Sequence, residues 1–232
     1  MFQVIAGIQP GLATAERSAA AMVFEAAVMY RYVTAARAGI RRDRRSGRHK
    51  RGAGVVADFD SQVAAERFGS ALAAPGREVA VVPVTGGIRH RHLIHRVTVD
   101  PAALSPVLDD LTAVWRAGVR RLVDPAPLGP TEPRWLRRQE YAVSAWRGVL
   151  LAGRPVRNPS ALLIRTPDLE LSMVLVRAGR LLGAPAVTDR DGGGQFVRLE
   201  AGDTVARLLR AIVERLPAGW EQRTRRHAIG QG

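Results

Sequence analysis

Apolar positions along the chain switch between helical and strand spacing in a fixed series of blocks, and the series occurs twice. Residues 14–30 (TAERSAAAMVFEAAVMY) are rich in Ala and Met with no Gly or Pro, which predicts a buried helix capped by Thr14. Residues 31–37 read as extended and basic, and 38–52 as a loop, because no apolar face survives there. Val55–Phe59 then predicts a strand, and Ser61 caps a helix over 62–73 with Val63, Phe68 and Leu72 facing inward. Val79–Val82 is a second strand, and Pro83 marks it as an edge or an end. After the turn Thr85-Gly86-Gly87, Ile88–Val99 reads as the returning strand. Asp100 caps a helix with Pro101 in its first turn and Leu104, Val107, Leu108 and Leu111 along one side.

The second series begins after a Pro-rich stretch, 113–135, that reads as a connector. A helix near 136–152 buries Tyr141, Trp146, Val149 and Leu150. Val156 and Leu162–Arg165 offer a hairpin broken by Asn158-Pro159. Thr166 caps a helix starting at Pro167, lined by Leu171, Val174, Leu175, Ala178 and Leu182 and ended by Gly183. Ala186–Thr188 and Phe196–Leu199 form a hairpin, and Gly202-Asp203-Thr204 opens a last helix. Phe59–Leu72 corresponds to Arg165–Leu182, and Val79–Leu111 to Ala186–Ile212. The order predicts an α+β fold of duplicated αββαββα units with a pseudo-twofold axis. Its parts are a first half over 1–112, the connector 113–135, a second half over 136–216 and a basic tail over 217–232. Two four-stranded sheets would lie side by side, with helices behind them, as a saddle with a concave basic surface.

Charge narrows the partner. The chain has 35 Lys+Arg against 21 Asp+Glu, a net charge of +14, which favours a polyanion. Arginine predominates over lysine, as suits bidentate phosphate and guanine contacts. No cysteine is present, so disulfides, thiol nucleophiles and Cys-ligated metal sites are excluded. MFQVIAGIQPG lacks the basic start and apolar run of a signal peptide, and the apolar stretch Ala19–Met29 is too short to span a bilayer. The expectation is a cytoplasmic, nucleoid-associated protein without membrane contact.

Trp146–Val156 (WRGVLLAGRPV), then Asn158-Pro159 and Leu162–Thr166, resembles the N-terminal domain of the WhiA family of sporulation regulators. The resemblance continues through Leu181–Pro185, Val197-Arg198-Leu199, Gly202–Val205, Leu208-Leu209 and Trp220-Glu221. It is looser in the first half, at Val28–Val33, Gly54–Phe59 and Gly86–Arg89. It implies a LAGLIDADG homing-endonuclease-like fold, DNA binding, and a role in sporulation or cell-division gene control. The family carries a helix-turn-helix domain after this one, whereas these 232 residues stop before such a segment. The basic run at 41–51 has no known counterpart in the family.

In the nucleases of that fold, an acid at the C-terminal end of each long helix helps hold the metals that activate water. The matching position in the second half is Gly153, between Ala152 and Arg154. Val28–Arg31 of the first half contain no acid, and Glu25 lies about a turn too early. Glu25 is expected to face polar groups or solvent, with a lone metal ligand as the sharper alternative. No catalytic residue, metal site or cofactor is expected. The expected function is non-catalytic DNA binding in transcriptional, sporulation or cell-division control. RNA binding, and docking to a related transcription regulator, are the alternatives.

Candidate contacts follow from the basic positions. Arg41, Arg42, Arg44, Arg45, Arg48, Lys50 and Arg51 face only Asp43 in charge and could release counterions from phosphates. Arg89, Arg91 and Arg96 form a second patch with His90, His92 and His95; the His90/His92 spacing suits a metal but lacks a third ligand. Arg154 and Arg157 sit at the corresponding hairpin of the second half, Arg31 and Arg37 at its partner, and Arg165, Arg190 and Arg198 extend the surface. Gly192-Gly193-Gly194 has no following Lys-Ser/Thr, so a hairpin turn explains it rather than a phosphate loop. Trp115, Trp135, Trp146 and Trp220 are read as packing residues.

Overall fold

The computed structural model describes residues 19–43, 54–86, 92–123, 133–153, 156–158, 161–191, 194–200 and, in the last helix, 202–203, 205–206 and 208–209. The elements run α1 (Ala19–Asp43), β1 (Val55–Phe59), α2 (Gln62–Leu72), β2 (Val79–Gly86) and β3 (His92–Val99). A 3-10 turn (Pro101–Ala103) leads into α3 (Leu104–Val123), and α4 (Pro133–Ala152) opens the second half. It continues with β4 (Val156–Asn158), β5 (Ala161–Thr166), α5 (Leu169–Leu181), β6 (Ala186–Asp191) and β7 (Gly194–Glu200).

Duplication shows in the strand order. The first sheet is β1-β3-β2 and the second β4-β5-β7-β6, all antiparallel neighbours, so β1, β3 and β2 occupy the places of β5, β7 and β6. Among the described residues the first sheet has three strands, and residues 31–37, expected to be extended, belong to α1. Pro83 sits on β2, an edge strand, where its missing N–H costs no ladder bond.

Helices cover one face of each sheet. Gly69 of α2 lies against Val79 and Val81, and Gly179 of α5 against Ala186. Between the halves, α1 packs along α4. A Cβ on Gly148 would come within 2.9 Å of the Glu25 carbonyl oxygen and 3.0 Å of Val28 Cγ1, so the glycine sets how closely the helices approach. Phe24, Phe68, Leu111, Trp146, Leu171 and Leu175 fill a core shared by both halves. Phe24 stacks on Trp115 and tilts against Tyr141, which joins α1, α3 and α4 through rings.

Three sequence expectations change. First, α1 continues through Asp43, so Arg31–Arg37 are helical rather than extended, and Arg41 and Arg42 stand on its last turn rather than in a loop. The run is rich in Ala and Arg, and helix propensity decides where no apolar face is needed. Second, α3 runs to Val123 and α4 starts at Pro133, so both ends of the connector 113–135 are helix. Leu111, Trp115, Gly118 and Leu122 carry the helical period past the point where the prolines drew attention. Third, Asp168 rather than Thr166 caps α5, accepting from the Leu171 N–H at 2.8 Å. Thr166 ends β5, buried, with its hydroxyl 2.6 Å from Ser172 Oγ. Ser61 caps α2 as expected, and Asp100 caps the 3-10 turn ahead of α3.

Gly118 gives a direct test of the helical packing. A Cβ there would fall 2.1 Å from the Phe24 ring, and Phe24 is buried. Gly118→Ala is expected to destabilise by about 1–3 kcal/mol through overpacking, a thermal midpoint lower by roughly 2–10 °C. Thermal denaturation followed by circular dichroism measures it.

Candidate nucleic-acid interface

Alternation along the strands sorts the uncovered sheet faces. On the first sheet the face turned away from α2 carries Ala80, Val82 and Val84 of β2 opposite Thr98, Arg96 and Ile94 of β3. On the second, the face turned away from α5 carries Leu163 and Arg165 of β5, Phe196 and Arg198 of β7, and Val187 and Asp189 of β6. These two faces are the candidate interface, and their described charges are nearly balanced. Arg96 donates to Asp58 through Nε at 2.8 Å and Nη2 at 3.4 Å. That hydrogen bond, ahead of the opposing effect of burial, raises the Arg96 pKa. The contribution of the Arg96 shift is therefore present below its ordinary pKa and is lost as pH rises through the raised value. Arg198 donates to Glu200 at 3.0 Å. Arg165 lies across β7 at Gly194, where a Cβ would sit 3.0 Å from its Nε. Around them Val82 and Val187 are about half exposed, so the faces are apolar with arginines set among carboxylates.

Arg31 has moved out of this surface. Its Nη2 lies 3.1 Å from Asp168 Oδ2 and 2.5 Å from Glu170 Oε2, and its guanidinium stacks 4.8 Å from the centre of the Trp115 ring. Trp115 Nε1 donates to Glu170 at 3.1 Å. Arg31 thus ties α1 to α3 and to the start of α5, a link between the halves. Asp168 and Glu170 suit the positive N-terminal end of α5, and the two carboxylates together attract a cation from across the interface.

The other candidates divide by position. Arg37, Arg41 and Arg42 lie on the C-terminal turns of α1, and Arg157 lies in β4. Arg44, Arg45, Arg48, Lys50, Arg51, Arg89, Arg91 and Arg154 fall outside the described residues. Of the histidines, His92 is exposed and lies 4.0 Å from Asp60, while His95 is buried.

At the helix ends where a nuclease would hold metal, the second half offers Gly153. A Cβ there would meet the Tyr32 hydroxyl at 2.9 Å, so the phenol of α1 occupies the space above it. Glu25 is turned into the protein: it is 2 % exposed, bound by Arg67 of α2 through Nε and through Nη2 at 3.3 Å, with Arg147 Nη1 of α4 at 3.6 Å. This carboxylate is committed to two arginines. Among the described residues no three His, Cys, Asp or Glu side chains gather as metal ligands. No helix among them is long and apolar enough to cross a membrane.

Sequence reasoning passed over a different group. Arg138 Nη2 and Arg177 Nε donate to the Leu122 carbonyl at 3.4 and 3.3 Å, and Arg121 lies 5.4 Å from the centre of the Tyr141 ring. The signal was present as Arg120-Arg121 closing one helical period and Arg137-Arg138 opening another.

Compared with solved structures, the fold is that of the LAGLIDADG homing-endonuclease-like proteins. The isolated N-terminal LAGLIDADG domain of DUF199/WhiA matches over 87% of this chain and 88% of that one, with a TM-score of 0.52 and 13% identity. I-DmoI crystallised with DNA and calcium matches over 89% of this chain and 98% of that one, with a TM-score of 0.53 and 12% identity. No protein-family model matches the chain. In sequence the chain is similar to WhiA: a probable cell division protein WhiA of Clavibacter sepedonicus is 27% identical over 182 residues, 75% of this chain and 53% of that protein. Its namesake in Corynebacterium jeikeium is 36% identical over 74 residues, 31% of this chain and 23% of that protein. The chain thus spans between about a quarter and a half of the length of these curated relatives.

Proposed function

We propose that the chain is a non-catalytic DNA-binding protein that acts in transcriptional, sporulation or cell-division control. The observation that carries this is the substitution of a phenol over Gly153 for paired acids, on a fold that I-DmoI was crystallised using to hold DNA. Two metals cleaving a phosphodiester need convergent carboxylates, and here Glu25 is held by Arg67 and Arg147 instead. Affinity comes from phosphate contacts by Arg37, the basic run Arg41 to Arg51, Arg89 and Arg91, and Arg154 and Arg157. Arg165 and Arg198 on the second sheet stand where base edges would be read, and each would exchange its intramolecular neighbours for DNA.

Incubating the protein with supercoiled plasmid and Mg²⁺ or Mn²⁺ tests the reading. Retardation of the plasmid without nicking is expected, whereas nicked or linear product would contradict it. A second reading has its own observation. The half-exposed Val82 and Val187, with arginines held by Asp58 and Glu200, also suit a protein surface docking to a related regulator. Failure of the plasmid to shift at low salt would favour that reading.

A further inference from the structure

Arginines of α4 and α5 meet at the C-terminus of α3, and further arginines lie close to them along the three helices. Arg116 and Arg120 lie one turn apart on α3, Arg121 follows, Arg137 comes from the start of α4, and Arg177 and Arg180 come from the end of α5. Buried Arg138 and half-buried Arg177 converge on the Leu122 carbonyl, and the negative end of the α3 dipole holds them there. Four of the group, Arg116, Arg120, Arg137 and Arg180, are exposed and have no role in that cap. Over 116–141 and 176–181 the sequence carries eight arginines against three carboxylates, Asp124, Glu132 and Glu140, so charge is not balanced here as it is on the sheet faces. Arg138 and Gly153 are separated by most of α4, about 22 Å at 1.5 Å per residue. The cluster therefore stands at the opposite end of α4 from the end that enters the second sheet.

We propose that this cluster is a second phosphodiester-binding site, which takes the backbone of a separate duplex segment while the sheet side holds the first. The inference adds a site to the DNA-binding reading. Its chemistry is phosphate contact without base readout: exposed guanidiniums on rigid helices, with an i, i+4 pair rising about 6 Å, near two backbone steps of one strand. Held this way, one molecule would bridge two duplexes.

A bridging assay tests it with the full chain. Biotinylated duplex is immobilised, protein is added, and recovery of a second, fluorescent duplex is measured. Binding of a single short duplex is followed in parallel by anisotropy. The variant Arg116→Ala/Arg120→Ala/Arg180→Ala spares Arg121, Arg138 and Arg177, so the α3 cap and the Tyr141 contact remain. Wild type is expected to recover the second duplex, and the variant to recover at least about tenfold less while keeping single-duplex binding, because phosphate contacts are lost only at the second site. A variant that also loses single-duplex binding would keep the cluster as a DNA site and remove the sheet-side reading. Wild type and variant behaving alike in both measurements would overturn the proposal.

Discussion

Replacing Glu25 with alanine is expected to destabilise the protein by about 3–5 kcal/mol, because it removes the carboxylate beside a buried guanidinium between the two halves. Glu25 is 2 % exposed and Arg147 fully buried, so neither can turn to water without opening the α1–α4 interface. Arg67 is partly exposed and can relax into solvent when its partner goes; Arg147 cannot. The thermal midpoint should fall by on the order of 10 °C in a chain of this size. The double variant Glu25→Leu/Arg147→Met should recover most of the loss, since apolar side chains can replace a buried pair at little cost. Thermal melts of the two variants check both statements. If Glu25→Ala melts with the wild type, the carboxylate is not the centre that holds the halves together.

Removing charge from the end of α1 has the second large expected effect, on binding instead of stability. Arg41 and Arg42 stand on the last turn of α1, with Arg44 and Arg45 directly after Asp43. Helical backbone at Arg41 and Arg42 means that less order has to be gained on binding than a loop would require. If each of the four contacts one phosphate, Arg41→Ala/Arg42→Ala/Arg44→Ala/Arg45→Ala lowers the slope of log K against log salt by about 3–4. The dissociation constant should then rise by about two to three orders of magnitude near 0.1 M salt. A thermal melt of the variant, with a midpoint expected to stay close to that of wild type, separates lost binding from lost folding. A variant that binds like wild type would assign the basic run to a solvated surface.

The paired order of elements was legible because each strand and helix in the core has its own period: Val55–Phe59 and Leu162–Ile164 for strands, Phe68–Leu72 and Leu171–Leu175 for helices. The sheet pairing followed from that order, down to the edge position of Pro83. Helix ends were less legible. Residues 31–37 read as extended and 38–43 as a loop, yet Ala and Arg propagate the helix through Asp43, with Val33 still in the core. At the end of α3, prolines just beyond Val123 masked the contribution of Trp115, Gly118 and Leu122. The absence of an acid at Gly153 could be read directly, because it is a matter of residue identity at one position. The fate of single charges could not. Arg31 and Arg96 find their partners Asp168 and Asp58 only through tertiary contact and register, whereas Arg198 pairs with Glu200 two residues on in the same strand. For the same reason the arginines at Leu122 went unnoticed: Arg138 and Arg177 come from α4 and α5 and meet at the end of α3.

The central claim, that this fold grips duplex DNA without cutting it, is tested most directly by the binding of purified protein to a short duplex across a salt series. The account predicts binding at low salt that weakens linearly on a log–log plot, with a slope of about −5 or steeper from six or more phosphate contacts. No binding at the lowest salt, or binding indifferent to salt, would contradict it.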